Sequence, residues 1–114
     1  MSQNSPTTLS QEQIKIIRTI LTPFGDKIDR VGIFGSHATG RARPNSDIDL
    51  VIYGDIAQDD ADRLWSDFQE SSISVSVDII CYNLELYAPL RRHIDETAII
   101  LFGKSDVRQP HHLS

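Results

Sequence analysis

The sequence has little cysteine, no long apolar run and no excess of basic charge, and each absence excludes a class of function. Its single cysteine, Cys81, excludes an intramolecular disulfide and any zinc site built from several cysteines. No apolar run approaches the roughly 20 residues that a membrane-spanning helix needs. The 11 Lys and Arg against 16 Asp and Glu leave a net charge of −5, which argues against a broad nucleic-acid-binding face.

The composition is that of one soluble globular domain. With 114 residues, 39% of them hydrophobic and 24% charged, the chain is long enough for a single core. Polar residues dominate the segments 1–8 and 104–114, which we expect to be flexible around a domain of residues 9–103. The first ten residues lack the basic and then apolar plan of a signal peptide, so we expect a cytoplasmic protein that binds no membrane.

Helical and extended segments alternate along the chain. The spacing of apolar residues predicts helices over residues 10–22, 59–70 and 83–95. Runs of β-branched and apolar residues predict strands over residues 28–34, 47–53, 73–81 and 98–102. This order predicts an α/β (α+β) domain in which helices pack against a single small mixed β-sheet.

Some local features refine these elements. Ser10 and Gln13 form a capping box at the start of the first helix. The second helix has Leu64, Trp65 and Phe68 as its buried stripe. Pro89 fits only near the first turn of the third helix, so we expect that helix to begin late.

Two carboxylates open the second predicted strand. Side chains alternate across a strand, so Asp47 and Asp49 project from one face about 6.5–7 Å apart, while Ile48 projects from the other. Two like charges on one face are unfavourable unless a cation lies between them, and oxygen ligands select a hard ion such as Mg²⁺ or Mn²⁺. The alternative is that both acids merely lie in solvent at the start of the strand.

A third carboxylate, Asp78, lies in the middle of the third predicted strand. It shares a face with Ile80, whereas Val77 lies on the opposite face. A carboxylate within a sheet is costly to desolvate without a partner, so Asp78 joins the first two acids if the second and third strands are neighbours. Otherwise it is a lone acid on a solvated face.

The loop after the first strand is suited to an anion. Gly35 permits close approach of the backbone, successive N–H groups after it can surround an anion, and the Ser36 hydroxyl adds a donor. A helical turn beginning at Ser36 would point its N-terminus at the same anion. The spacing of Gly35 and Gly40 superficially suggests a P-loop, but Arg41 and Ala42 replace the lysine and the serine or threonine that a P-loop needs. On its own, this loop is equally an ordinary turn at the end of a strand.

Together the loop and the acids supply two functions. The loop holds a polyphosphate, and the acids hold metal against the phosphorus that is attacked, as in phosphoryl or nucleotidyl transfer with two metal ions. The order is Gly35-Ser36, ten residues, Asp47-Ile48-Asp49, and then Asp78 in the run SVSVDII. This order resembles the nucleotidyltransferases of the DNA polymerase β-like superfamily, and in particular the minimal nucleotidyltransferases (MNT proteins), over about residues 10–103.

The resemblance implies a role for each of these residues. Asp47, Asp49 and Asp78 bind divalent metal, and Asp78 also serves as a base. Gly35 and Ser36 hold the triphosphate of ATP. Relatives often carry arginine between the two glycines of this loop, where this sequence has His37 and Thr39. Arg41 and Arg43 are candidates to replace that arginine as phosphate ligands, and His37 is expected at the surface.

The resemblance also implies a function and a partner. MNT proteins act as antitoxins that transfer AMP from ATP to a tyrosine of a helical HEPN-type toxin, with two Mg²⁺ ions, or Mn²⁺, as cofactor. We therefore expect a hetero-oligomer with such a protein and no direct binding of nucleic acid. Two alternatives stay open: a nucleotidyltransferase for a small-molecule acceptor that works with a separate substrate-binding subunit, and an antitoxin that only binds. Leu84, Leu86 and Tyr87 are candidates either for a docking face or for the core.

Overall fold

A computed structural model describes residues 9–43 and 46–103 of the protein, so the segments 1–8 and 104–114 expected to be flexible lie outside it. The helices are α1 (Gln11–Leu21), α2 (Ser36–Thr39), α3 (Gln58–Gln69) and α4 (Ala88–Thr97), and a 3₁₀ helix (Thr22–Lys27) follows α1. The strands are β1 (Ile28–Phe34), β2 (Ile48–Gly54), β3 (Val77–Cys81) and β4 (Ile99–Gly103). Within these residues, no helix combines the length and the apolar character needed to cross a bilayer.

The four strands form one mixed sheet in the order β3-β2-β1-β4. The central strand β1 pairs antiparallel with both β2 and β4, whereas β3 pairs parallel with β2. A parallel pair needs a crossover connection, and α3 provides it. The mixed sheet with packed helices confirms the predicted fold class.

Each face of the sheet has its own apolar cluster. On the first face, residues of β2 such as Leu50 pack with Ile17 of α1 and Leu64 of α3. On the second face, Val51 of β2 packs with Ile94 of α4. Side chains alternate along β2, so Leu50 faces α1 and α3 whereas its neighbour Val51 points toward α4. This alternation sets the face on which Asp49 lies.

The helix starts are explained by local chemistry. The Ser10 hydroxyl accepts a hydrogen bond from Gln13 N at 3.0 Å, and the Gln13 side chain accepts one from Ser10 N at 2.9 Å, which is the predicted capping box. Helix α4 begins at Ala88 with Pro89 in its first turn, later than residue 83 as expected. Helix α3 has Ala57 at its N-cap, and the carboxylate of Asp60 in its first turn is 2.7 Å from Lys27 Nζ.

Two predicted elements differ from the structure. Strand β3 begins at Val77 and not at residue 73, because the serine-rich segment before it forms bends and packs Ile73 and Val75 on the core without strand pairing. In α3, Leu64 and Phe68 are buried but Trp65 is 52% exposed. The prediction that Trp65 belongs to the buried stripe is therefore wrong. One residue is a rotation of about 100° around a helix, which carries Trp65 away from the sheet.

A matched pair of substitutions tests the orientation of α3. We expect Leu64→Ala to lower the free energy of unfolding by about 2–5 kcal/mol, because it leaves a cavity in the core. Trp65→Ala should change it by about 0.5 kcal/mol or less, because the indole is half exposed. Urea unfolding followed by circular dichroism measures both. Equal losses would show that the helix buries a different face.

Candidate functional site

Two of the three predicted acids lie side by side near the starts of the neighbouring strands β2 and β3. In the parallel register of β2 and β3, Asp49 is opposite Asp78. Both lie on the face that carries Val51 and Ile80, beneath α4. Asp47 precedes the first residue of β2 and is exposed. Strand pairing therefore fixes the backbone of Asp49 but not that of Asp47.

The loop after β1 meets the same acids. Phe34, the last residue of β1, is opposite Asp49 in the antiparallel register, so Gly35 follows at the level of the carboxylate. Gly35 has φ 75° and ψ −148°, a region that is essentially restricted to glycine. A Cβ on Gly35 would overlap Oδ2 of Asp49. The backbone of the loop therefore lies directly against the carboxylate.

The predicted helical turn after Ser36 is present as α2. Ala38 N and Thr39 N donate to Gly35 O at 3.0 and 3.1 Å, and the helix ends at Gly40 in the left-handed conformation, with φ 79°. Because Gly35 is the N-cap of α2 and touches Asp49, the first turn of this helix begins beside the acids. The arrangement fits a phosphate group held between the loop backbone and a cation on the carboxylates.

The neighbouring acids affect the ionisation of Asp49. Burial raises the pKa of Asp49, and the negative charges of Asp78 and Asp47 raise it further. The imidazoles of His37 and His93 act in the opposite direction and lower it. The carboxylates of Asp49, Asp78 and Asp47 thus concentrate negative charge that a cation would offset.

The donor set fits a hard divalent cation that arrives with its ligand. Within residues 9–43 and 46–103, no group of three or more His, Cys, Asp or Glu side chains is arranged to hold a metal ion. Mg²⁺ is usually bound by one or two carboxylates together with substrate phosphates and water. Asp49 and Asp78, with their oxygen-only donors, supply that smaller set. A three-acid metal site that includes Asp47 stays a prediction.

The remaining predicted residues lie in the loop between α2 and β2. Arg41 and Arg43 are both exposed. Arg43 N donates a hydrogen bond to Ser46 Oγ at 2.7 Å, and Ser46 N donates one to Arg43 O at 3.0 Å. Their role as phosphate ligands stays a prediction. The expectation that His37 lies at the surface is wrong, since it is 5% exposed and its Nε2 is 3.4 Å from Ser46 O. The short helix turns His37 inward beneath the loop.

One residue of the site was not identified from sequence. His93, on α4, is exposed, and its ring meets the Phe34 ring edge-on with centroids 6.0 Å apart. Its charge also acts on Asp49 and lowers the pKa of that carboxyl. No sequence motif marks His93, because its position depends on how Ile94 and Leu90 pack α4 against the sheet.

Comparison with known proteins agrees with this geometry. The family model described as "Polymerase beta, Nucleotidyltransferase" matches residues 14–107, and the chain belongs to this family. Comparison with curated proteins gives no match. The resemblance to polymerase β-like nucleotidyltransferases drawn from the Gly-Ser and Asp-x-Asp motif is therefore confirmed.

Two solved structures share the fold. One is a toxin–antitoxin crystal structure with AMP-PNP, with a TM-score of 0.65 and 21% identity over 79% of this chain and 73% of the other. The second is the toxin–antitoxin MntA–HpeT with one tyrosine replaced by alanine, with a TM-score of 0.64 and 22% identity over 84% of this chain and 74% of the other. At 21% and 22% identity, these likenesses show that the fold is shared.

The two positive-φ glycines of the loop provide a test of the contact with Asp49. Gly40→Ala should lower the free energy of unfolding by about 1–2 kcal/mol, since the left-handed conformation is strained but nothing lies within 4 Å of the new Cβ. Gly35→Ala should cost clearly more, because strain of about 1–3 kcal/mol adds to the overlap with the carboxylate. Urea unfolding of both variants gives the difference. Equal costs would contradict the contact.

The raised pKa of Asp49 predicts how stability depends on pH. Since folding raises the pKa above its ordinary value of 3.8, ionised Asp49 destabilises the fold, and stability is lost as the pH rises through the raised pKa. Asp49→Asn should therefore raise the melting temperature at pH 7 in EDTA, and the gain should shrink as the pH falls toward 3.8. Calorimetry measures it, with the exposed Asp55→Asn as control. A lower melting temperature for Asp49→Asn at pH 7 would show that the acid stabilises the fold.

Proposed function

We propose that this protein is a metal-dependent protein adenylyltransferase that acts in the cytoplasm as an antitoxin. It transfers AMP from ATP to a tyrosine hydroxyl of a helical HEPN-type toxin. The observation that carries the proposal is the contact between the Gly35 backbone and Asp49, with Asp78 in register beside it. A phosphate loop against a pair of acids is suited to moving a nucleotidyl group.

Each residue has a defined task in this proposal. The backbone after Gly35 and the Ser36 hydroxyl bind the triphosphate, and Arg41 and Arg43 offset part of its negative charge. Asp49 and Asp78, together with Asp47, would hold Mg²⁺ or Mn²⁺, which would neutralise charge on the phosphates and on the acceptor oxygen. The proposal takes two such ions, as phosphoryl transfer with two metal ions does.

The reaction is an in-line displacement at the α-phosphorus. The tyrosine oxygen forms a bond to the α-phosphorus, the bond between that phosphorus and the oxygen bridging to the β-phosphorus breaks, and pyrophosphate leaves. Asp78 accepts the proton of the tyrosine hydroxyl. Asp78 is exposed, so an acceptor that arrives on another molecule can reach it.

Two observations support a protein as the acceptor. The structural neighbours are toxin–antitoxin complexes, one of them with AMP-PNP. The loop between β3 and α4 also exposes large apolar side chains, with Leu84 36%, Leu86 90% and Tyr87 65% exposed. Such side chains are typical of a surface that another protein covers. A small-molecule acceptor remains the alternative if no protein receives AMP.

Neutralisation of the partner distinguishes catalysis from binding. When the wild type is co-expressed with the toxin, we expect AMP on a toxin tyrosine and restored growth. Asp47→Asn/Asp49→Asn should lower transfer by at least about 100-fold, because the carboxylates that hold the metal are lost. Intact-mass spectrometry and peptide mapping of the toxin measure the adduct. The matched control is Asp55→Asn/Asp59→Asn, which removes the same charge at two exposed positions.

The contrary outcomes lead to the two other functions. If the Asp47→Asn/Asp49→Asn variant protects as well as the wild type at equal expression and no adduct forms, the protein is an antitoxin that only binds. If AMP instead appears on a small molecule in the presence of the partner, the partner is a substrate-binding subunit. An adduct on the toxin with both the wild type and the double variant would show that other residues carry the reaction.

A further inference from the structure

His93 lies beside the end of β1, where the loop proposed to bind phosphate begins. Its ring meets Phe34 edge-on, with an interplanar angle of 83° and centroids 6.0 Å apart, and Phe34 is the residue before Gly35. The next residue on α4, Ile94, is fully buried against the sheet, which fixes the helix at this position. His93 itself is exposed. The imidazole therefore borders the site and is open to a ligand.

The strand order decides which part of a ligand the imidazole meets. In the order β3-β2-β1, Asp49 on β2 has Asp78 on one side and Phe34 on the other. His93 packs on Phe34, on the strand that leads into the loop, whereas Asp78 is on the strand on the other side of β2. The imidazole also acts on the Asp49 carboxylate through space. The side chain of His93 and the loop that begins at Gly35 thus lie at the same end of β1.

The two histidines near Asp49 differ in what they can bind. His37 is buried, with Nε2 3.4 Å from Ser46 O, and so belongs to the interior of the loop. His93, in contrast, is exposed. An imidazole carries at least one N–H donor whether neutral or charged, so His93 can donate a hydrogen bond in either state.

We propose that His93 is a phosphate-binding residue that donates a hydrogen bond to the β,γ-phosphate portion of bound ATP. The inference rests on the proposed function for the identity of the nucleotide. When the bond from the α-phosphorus to the bridging oxygen breaks, negative charge grows on the departing pyrophosphate, and a fixed donor there stabilises it. His93 moves no proton in this role.

Two substitutions separate phosphate binding from packing. His93→Phe keeps the edge-on ring contact with Phe34 and removes the donor. His93→Gln keeps an N–H donor and removes the ring. We expect His93→Phe to weaken binding of ATP with Mg²⁺ by about 10-fold or more, as the loss of a hydrogen bond to a charged group does. His93→Gln should stay within about threefold of the wild type. Titration calorimetry measures the dissociation constants.

Arg92→Gln is the matched control. It removes positive charge from the adjacent exposed position of α4, and we expect it to leave ATP affinity within about twofold. Thermal melts of all variants without nucleotide verify that each is folded. A loss with Arg92→Gln equal to that with His93→Phe would assign the effect to general charge and overturn the proposal.

The outcomes separate this inference from the proposed function. If the wild type binds ATP with Mg²⁺ and His93→Phe binds it equally well, His93 packs on Phe34 only and the inference is wrong, while the proposed function stands. If His93→Phe alone is weak but no AMP reaches a partner, the phosphate contact is supported and the proposed acceptor is wrong. A wild type that does not bind ATP with Mg²⁺ would overturn both.

Discussion

The close approach of the Asp49 carboxylate to the backbone of Gly35 is the constraint on which the site depends. It exists because β1 and β2 pair antiparallel with Phe34 opposite Asp49, so the chain leaves β1 beside the acid. Only glycine permits both this approach and its backbone angles. The same register points Leu50 into the core between the sheet and α1, so a shift that lost the contact would also expose the core. The site and the core therefore constrain one another.

Features of the site that follow from local chain geometry could be predicted from the sequence. The two-residue period of a strand places Asp49 on the face opposite Leu50, and the same period places Asp78 with Ile80. The glycine that ends β1 and the short helix after it follow from residue type. The prediction that Asp78 joins the other acids required β2 and β3 to be neighbours, and the two strands are paired in the structure.

Features that depend on tertiary packing could not be predicted. A four-residue helix has no periodic pattern, so nothing in the sequence shows that α2 turns His37 inward. Trp65 is apolar like its neighbours Leu64 and Phe68, and only the position of α3 over the sheet leaves it exposed. His93 becomes part of the site because α4 crosses the acid face, which involves contacts between residues about 60 positions apart in the chain.

The position of β3 at the edge of the sheet has a consequence for dynamics. Among the strands of residues 9–43 and 46–103, β3 pairs only with β2. The chain returns to β2 through α3, so this pairing has a high contact order compared with the one between β1 and β2. Short edge strands open locally at a lower free energy than central strands do. Asp78 is carried by such a strand, whereas Asp49 is on β2, which is paired on both sides. A local opening of β3 therefore removes the third acid from its neighbours while β1, β2 and most of the core remain folded.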